Sequence, residues 1–201
     1  MSKYLSIDTE ATGLEENTYL IQLALVPIDV PARKVHEELG FETLVKCPSF
    51  EELKPTLNPW VIEHNEGLIR KAHAEGVTQE RLKQLVGDYM ESTPVRAVFG
   101  KDRPAFFGKS LSALDIPLMT RYFGKPFMER YFHHHTLDLT CVSRALVDSG
   151  VLPAGCESTT QLVRYFGLRD DARHTALSDA LDMAVIYFKE IDLLQSLKAG
   201  R

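Results

Sequence analysis

The chain reads as an α/β protein with a mixed sheet flanked by helices. Two observations predict this. The first third holds three apolar segments spaced as a strand meander, "KYLSIDT", "YLIQLALVPID" and "ELGFETLVKC". The remainder alternates helical periods with short strand-like runs, a pattern that sets helices against a sheet. With 201 residues, 44% hydrophobic and 25% charged, the composition is that of a globular domain, taken as a single unit over 1–201.

The elements follow in order. In "YLIQLALVPID", Ile21, Leu23 and Leu25 alternate against Gln22 as in a strand. Prolines from Pro48 to Pro59 mark a loop. "VIEHNEGLIRKAHAEGV" is helical in character, with a break expected at Gly67. "TQERLKQLVGDYMES" places Leu82, Leu85, Val86 and Tyr89 at helical spacing behind Thr78 as N-cap. "PVRAVFG" and "RPAFFGKS" look like short strands or loops. "ALDIPLMTRYFG" resumes the helical period, with Pro117 in its first turn. "HTLDLT" alternates as a strand, and Asp138 and Thr140 would end it and cap the following helix. Two more helical segments end at Gly150 and Gly167. The last, "TALSDALDMAVIYFKEIDLLQSL", carries Leu177, Leu181, Val185 and Phe188 on one stripe.

Charge and cysteine usage narrow the class. A net charge of −5 with scattered Lys and Arg excludes a long basic track, so a nucleic-acid partner would be held locally. Three cysteines, Cys47, Cys141 and Cys156, show no metal spacing and fit buried, reduced thiols in a cytoplasm. No leader and no apolar run long enough to span a bilayer is evident, so no membrane partner is expected.

The acids carry the chemistry. Asp8 and Glu10 end the first strand, and residues two apart on a strand project to one side. Two adjacent carboxylates repel, so one pKa rises or a hard cation such as Mg2+ sits between them. Beside that stands the ordinary reading of a strand end and a solvated acid. Asp115 is an acid in an otherwise apolar helical stretch, either a metal ligand or a helix-start residue favoured by the dipole. In "RHTALSDALDMAV", His174 precedes a helix that would hold Asp179 still, a spacing that suits a general base beside a metal ligand. Asp182, one turn on, is expected to be solvated. "HHHTLD" repeats the spacing through His133 and Asp138, but on a strand. Its three adjacent histidines would there alternate sides and seldom converge on one metal.

The order "SIDTEATGL", "GKSLSALDIPLM", "HTALSDALDMA" resembles the DEDDh branch of 3′–5′ exonucleases over about Tyr4 to Tyr187. The family's D-x-E falls on Asp8 and Glu10, its middle Asp on Asp115, and its H-x4-D on His174 and Asp179. The middle motif departs from the family, with Ser110 at an Asn position and Leu114 at an aromatic one.

The resemblance implies a ribonuclease H-like fold with a five-stranded mixed sheet. It implies two Mg2+ or Mn2+ ions held by Asp8, Glu10, Asp115 and Asp179, with His174 as general base. The substrate would be single-stranded or short DNA or RNA with a free 3′ end, releasing nucleoside 5′-monophosphates. Thr12, Gly13 and Leu14 would meet the terminal nucleotide. Trp60 would stack on a base or fill the core, His64 would meet a phosphate or lie on the surface, and Lys109 or Arg173 would contact phosphate. The alternatives are an oligoribonuclease-like enzyme restricted to very short RNA, an inactive nucleic-acid-binding module and a nucleotide phosphomonoesterase. The chain could be a monomer or a homodimer.

Overall fold

A computed structural model describes residues 3–15, 17–168 and 175–199. Its sheet is built from β1 (Lys3–Ala11), β2 (Leu20–Asp29), β3 (Lys34–Val35), β4 (Phe41–Leu44), β5 (Ala105–Gly108) and β6 (Thr136–Asp138). β1 pairs antiparallel with β2 and parallel with β5, and β5 pairs parallel with β6. β3 and β4 both pair with β2, along its edge away from β1. The six strands therefore occupy five ranks, and the sheet is mixed as expected. Of the expected third strand, "ELGFETLVKC", only Phe41–Leu44 pairs as β4; its start lies in a 3-10 turn at Glu37–Leu39, and β3, just before that turn, is not among the expected strands.

The central strands are nearly continuous apolar runs because helices cover both faces. Among the described residues the helices are α1 (Phe50–Leu53), α2 (Pro59–Glu75), α3 (Gln79–Glu91), α4 (Thr93–Phe99), α5 (Asp115–Phe123), α6 (Lys125–Tyr131), α7 (Leu139–Asp148), α8 (Thr159–Tyr165) and α9 (Ala176–Ala199). One core packs Leu5, Ile7, Leu23 and Leu25 against Leu82, Val86, Leu118 and Met119. A second joins Ile28 and Phe107 to Leu139, Leu162, Met183 and Ile186.

Several local expectations hold. Thr78 caps α3 by accepting the Arg81 N–H, and Asp138 ends β6 and caps α7 by accepting the Thr140 N–H. Pro117 lies in the first turn of α5, where a missing N–H costs nothing.

Others need correction. α2 runs through Gly67 without a break, since no neighbour demands its missing Cβ and one glycine costs only about 1 kcal/mol in a helix. "TPVRAVF" is α4, not strand or loop. Pro94 lies in its first turn, and Val95, Val98 and Phe99 are buried at helical spacing. The deepest stripe of α9 is Ala176, Ala180, Met183 and Ala184. Leu177 and Leu181 flank it, half-buried, because the alanines let the helix lie close on Ala24 and Val26. Cys47 and Cys156 are buried, but Cys141 is exposed. No helix among the described residues is long and apolar enough to cross a membrane.

Candidate active site

The end of β1 faces two ways. Ser6, Asp8 and Glu10 point towards α9, while Leu5, Ile7 and Thr9 point towards α3 and α5. The α9 side is tied down at three places. Ser6 Oγ donates to Ala180 O at 2.8 Å inside the core. Gln22, paired with Glu10 across the strands, accepts the Ala176 N–H at 3.2 Å. Glu42 accepts the Leu177 N–H at 3.1 Å. Two free amides of the first turn of α9 thus find partners on the sheet, and the turn that carries Asp179 is fixed beside β1. As a result Asp8, Glu10 and Asp179 bring carboxylate oxygens within 4.8 Å of one another.

Asp115 comes from the other side. It is the first residue of α5 and is buried at 7% exposure. Thr9 Oγ1 donates to its Oδ1 at 2.7 Å. A single strand end therefore presents two acids on one face and, through Thr9, positions a third from the opposite face. The loop before α5 is held by Asp138, which accepts the Ser110 and Leu111 N–H groups, each at 3.0 Å. Ser110 has φ +53°, a left-handed backbone in which Asn is much commoner than Ser. Gly108 is required where β5 meets β1, because a Cβ there would lie 2.8 Å from Ile7 O.

The electrostatics are those of an anion cluster. Burial, then the charges of Asp115, Glu10 and Asp179, push the Asp8 carboxyl well above the usual carboxylate range. Burial followed by Asp179 and Asp115 raises Glu10 to about 7. Asp115 is raised by burial to about 6, against the hydrogen bond from Thr9, which favours its anion. A cation among these acids would relieve their mutual repulsion and favour the ionised forms of Asp8, Glu10 and Asp115. The donors are all oxygen, which fits a hard divalent ion such as Mg2+ or Mn2+. Burial lowers the pKa of half-buried Lys109, against the opposing charges of Asp138 and then Asp179.

A groove of about 310 Å³ opens from Glu10 and Thr9, past Gly13 and Leu14, to Asn58, Trp60 and Asn65. Leu14 is 77% exposed and Trp60 56% exposed, so neither fills the core. The indole stacks on His64, with ring centroids 4.5 Å apart and planes 11° from parallel. His64 Nδ1 lies 2.8 Å from Trp60 O, and its ring braces the indole from behind.

Thr12 is not brought to the groove. It is buried, and its hydroxyl holds the β1–β2 connection through the Tyr19 N–H and Thr18. His174 and Arg173 lie outside the described residues. Asp182 is half-buried, not solvated. Sequence reading missed Thr9, Ser6, Gln22 and Glu42, and also Asn65, whose amide reaches Ala11 O at 3.4 Å. Ser6, Asp8 and Glu10 at alternate positions of β1 mark Ser6, and Gln22 is marked as the one polar residue in the buried run of β2.

Neither a protein-family model nor a curated protein sequence matches the chain. Solved structures do. Cell-death related nuclease 4 (CRN-4) superposes with a TM-score of 0.68 at 19% identity, over 96% of this chain and 64% of that one. The chain thus spans less than two thirds of CRN-4. The nuclease domain of 3′hExo, a DEDDh family member bound to rAMP, gives 0.64 at 16% identity, covering 95% of this chain and 92% of that one. S. pombe Pop2p, in its Mg2+- and Mn2+-bound form, gives 0.60 at 15% identity, covering 92% and 81%. The chain has the fold of the DEDDh nucleases. It is ribonuclease H-like, as the motif order implies.

Proposed function

We propose that the chain is a metal-dependent 3′–5′ exonuclease that releases nucleoside 5′-monophosphates from single-stranded or short nucleic acid. The observation that carries this is the convergence of Asp8, Glu10 and Asp179 within 4.8 Å, at the head of a groove with an exposed indole. The likeness to CRN-4, 3′hExo and Pop2p supports it, and the Mg2+- and Mn2+-bound form of Pop2p supports the choice of ions.

Asp8, Glu10 and Asp179 would hold one ion, and Asp8 with Asp115 a second. Bound there, the ions lower the pKa of water and stabilise charge on the attacking and leaving oxygens. His174, just ahead of α9, takes the proton of the attacking water, a task that suits an imidazole near neutral pH. Leu14 and the Trp60–His64 stack receive the terminal bases between them. The backbone at Gly13 meets the terminal sugar, and a Cβ at this glycine would collide only with the Glu15 side-chain end. Lys109 contacts a phosphate. The enzyme works as a single domain in a cytoplasm, where its cysteines stay reduced.

A second reading has its own support. Among the described residues no Lys or Arg lines the groove, so little of this lining would track a long phosphate backbone. An oligoribonuclease-like preference for very short RNA follows from that. The test is a panel of 5′-labelled RNA and DNA oligonucleotides of graded length, resolved over time. Stepwise loss from the 3′ end supports the exonuclease, and loss confined to the shortest RNAs selects the second reading. Internal cuts or no cleavage would reject both.

A further inference from the structure

The carboxylate centre is not the only convergence of metal-binding side chains among the described residues. His133, His134 and His135 also bring ring nitrogens within 4.8 Å of one another. The expectation that they alternate along a strand fails, because the strand begins only at Thr136. The three lie in the loop between α6 and β6, where the backbone is free of the pleat. Their ring centroids are 4.4, 4.7 and 4.2 Å apart.

This loop is anchored at both ends. Before it, Phe132 is buried at 3% exposure, and the His133 N–H donates to Pro104 O at 2.9 Å. After it, Thr136 pairs with Phe106 in the sheet. The rings are therefore gathered by a fixed backbone, while His134 and His135 remain exposed to solvent. The His135 N–H donates to His133 Nδ1 at 3.1 Å, so that nitrogen carries a lone pair turned into the cluster. A ligand taking that lone pair would release only a loop amide that water can reach.

Three imidazoles suit borderline ions such as Zn2+, Co2+ and Ni2+, and suit Mg2+ poorly. We propose that His133, His134 and His135 form a second metal site, for a borderline divalent ion of the zinc class, separate from the carboxylate centre. His133 and His134 line a groove that also holds Glu129, whose carboxylate lies 3.7 Å from Lys125 Nζ, so the three imidazoles with water form the ligand set. Arg103 lines the same groove but is engaged by the Glu129 carbonyl. The site would clamp the entry to β6, and β6 ends at Asp138, which holds the loop leading to Asp115. Its role is therefore structural support of the active-site loop.

The experiment is calorimetric Zn2+ titration in excess Mg2+, which competes at the carboxylates, with Asp8→Asn included to separate any Zn2+ taken there. Three proteins are compared: the wild type, Asp8→Asn, and the His134→Gln/His135→Gln double variant, each checked for folding by circular dichroism. The double variant changes exposed side chains only. Expected are one tight Zn2+ site in the wild type and in Asp8→Asn, its loss in the double variant, and a Zn2+-dependent rise in Tm that the double variant lacks. Zn2+ binding that is absent from the wild type, or unchanged in the double variant, would overturn the proposal. So would binding that disappears in Asp8→Asn while the double variant keeps it.

Discussion

The head of the groove and its wall are built on opposite principles. At the head, every acid is carried by a strand or a helix whose position is set by buried hydrogen bonds, from Ser6, Thr9 and Gln22. At the wall, Leu14 and Trp60 expose large apolar surfaces and support no core. The head stores unfavourable charge for a cation to relieve. The wall leaves apolar surface exposed, which on the proposed function a base would cover. On the proposed function, reaction and recognition draw on separate parts of the structure, so each should be removable without the other.

The largest expected effect is at the head. Asp8→Ala should abolish turnover while the protein stays folded, because it removes one charge from a mutually repelling set. The check is rate together with thermal melting, and a folded variant at wild-type rate would break the comparison. His174→Ala should slow the reaction by on the order of 10²–10⁴, as loss of a general base implies. The acidic limb of the pH–rate profile should vanish with it.

At the wall, Trp60→Ala should raise KM on the order of tenfold and leave kcat nearly unchanged, as loss of a stacked base predicts. Its melting temperature should hardly move. A fall in kcat with KM unchanged would place Trp60 in the chemistry instead.

A smaller effect concerns stability. Glu10, ordinarily near 4.5, is raised to about 7, and Asp115, ordinarily near 3.8, to about 6. The folded state therefore holds these protons more tightly than the unfolded chain. The stability this contributes is full below the ordinary values and is lost as pH rises through about 6 to 7. Metal-free protein should melt at a lower temperature near neutrality than in mild acid, and Mn2+ should restore the loss. Buried Glu190, also raised to about 7, adds a slope of the same sign, so the informative quantity is the difference between wild type and Glu10→Gln.

The two regions were not equally legible in the sequence. Asp8, Glu10, Asp115 and Asp179 stand out because a charge in an apolar run needs a reason. Leu14 and Trp60 do not, since an apolar side chain in a sequence looks the same whether it fills a core or lines a groove. Their exposure depends on how α2 and the β1–β2 connection meet. The supports were hidden for a similar reason. Thr9 reaches Asp115 across 106 positions, and Ser6 reaches Ala180 across 174, distances at which no local pattern speaks. The mixed sheet and the last helix with Asp179 were readable from the motifs, but the strand order and the buried stripe of α9 were not. Alanines packing closely on Ala24 and Val26 replaced the leucines that periodicity favoured.

The central claim is that the carboxylates at the end of β1 hold the ions that drive hydrolysis. Calorimetric Mn2+ titration of the wild type beside Asp8→Asn tests it most directly, with no dependence on substrate choice. The account predicts Mn2+ binding in the wild type and its loss in the variant, in parallel with the loss of activity. Equal Mn2+ binding by the two proteins, or nuclease activity that survives exhaustive chelation, would contradict it.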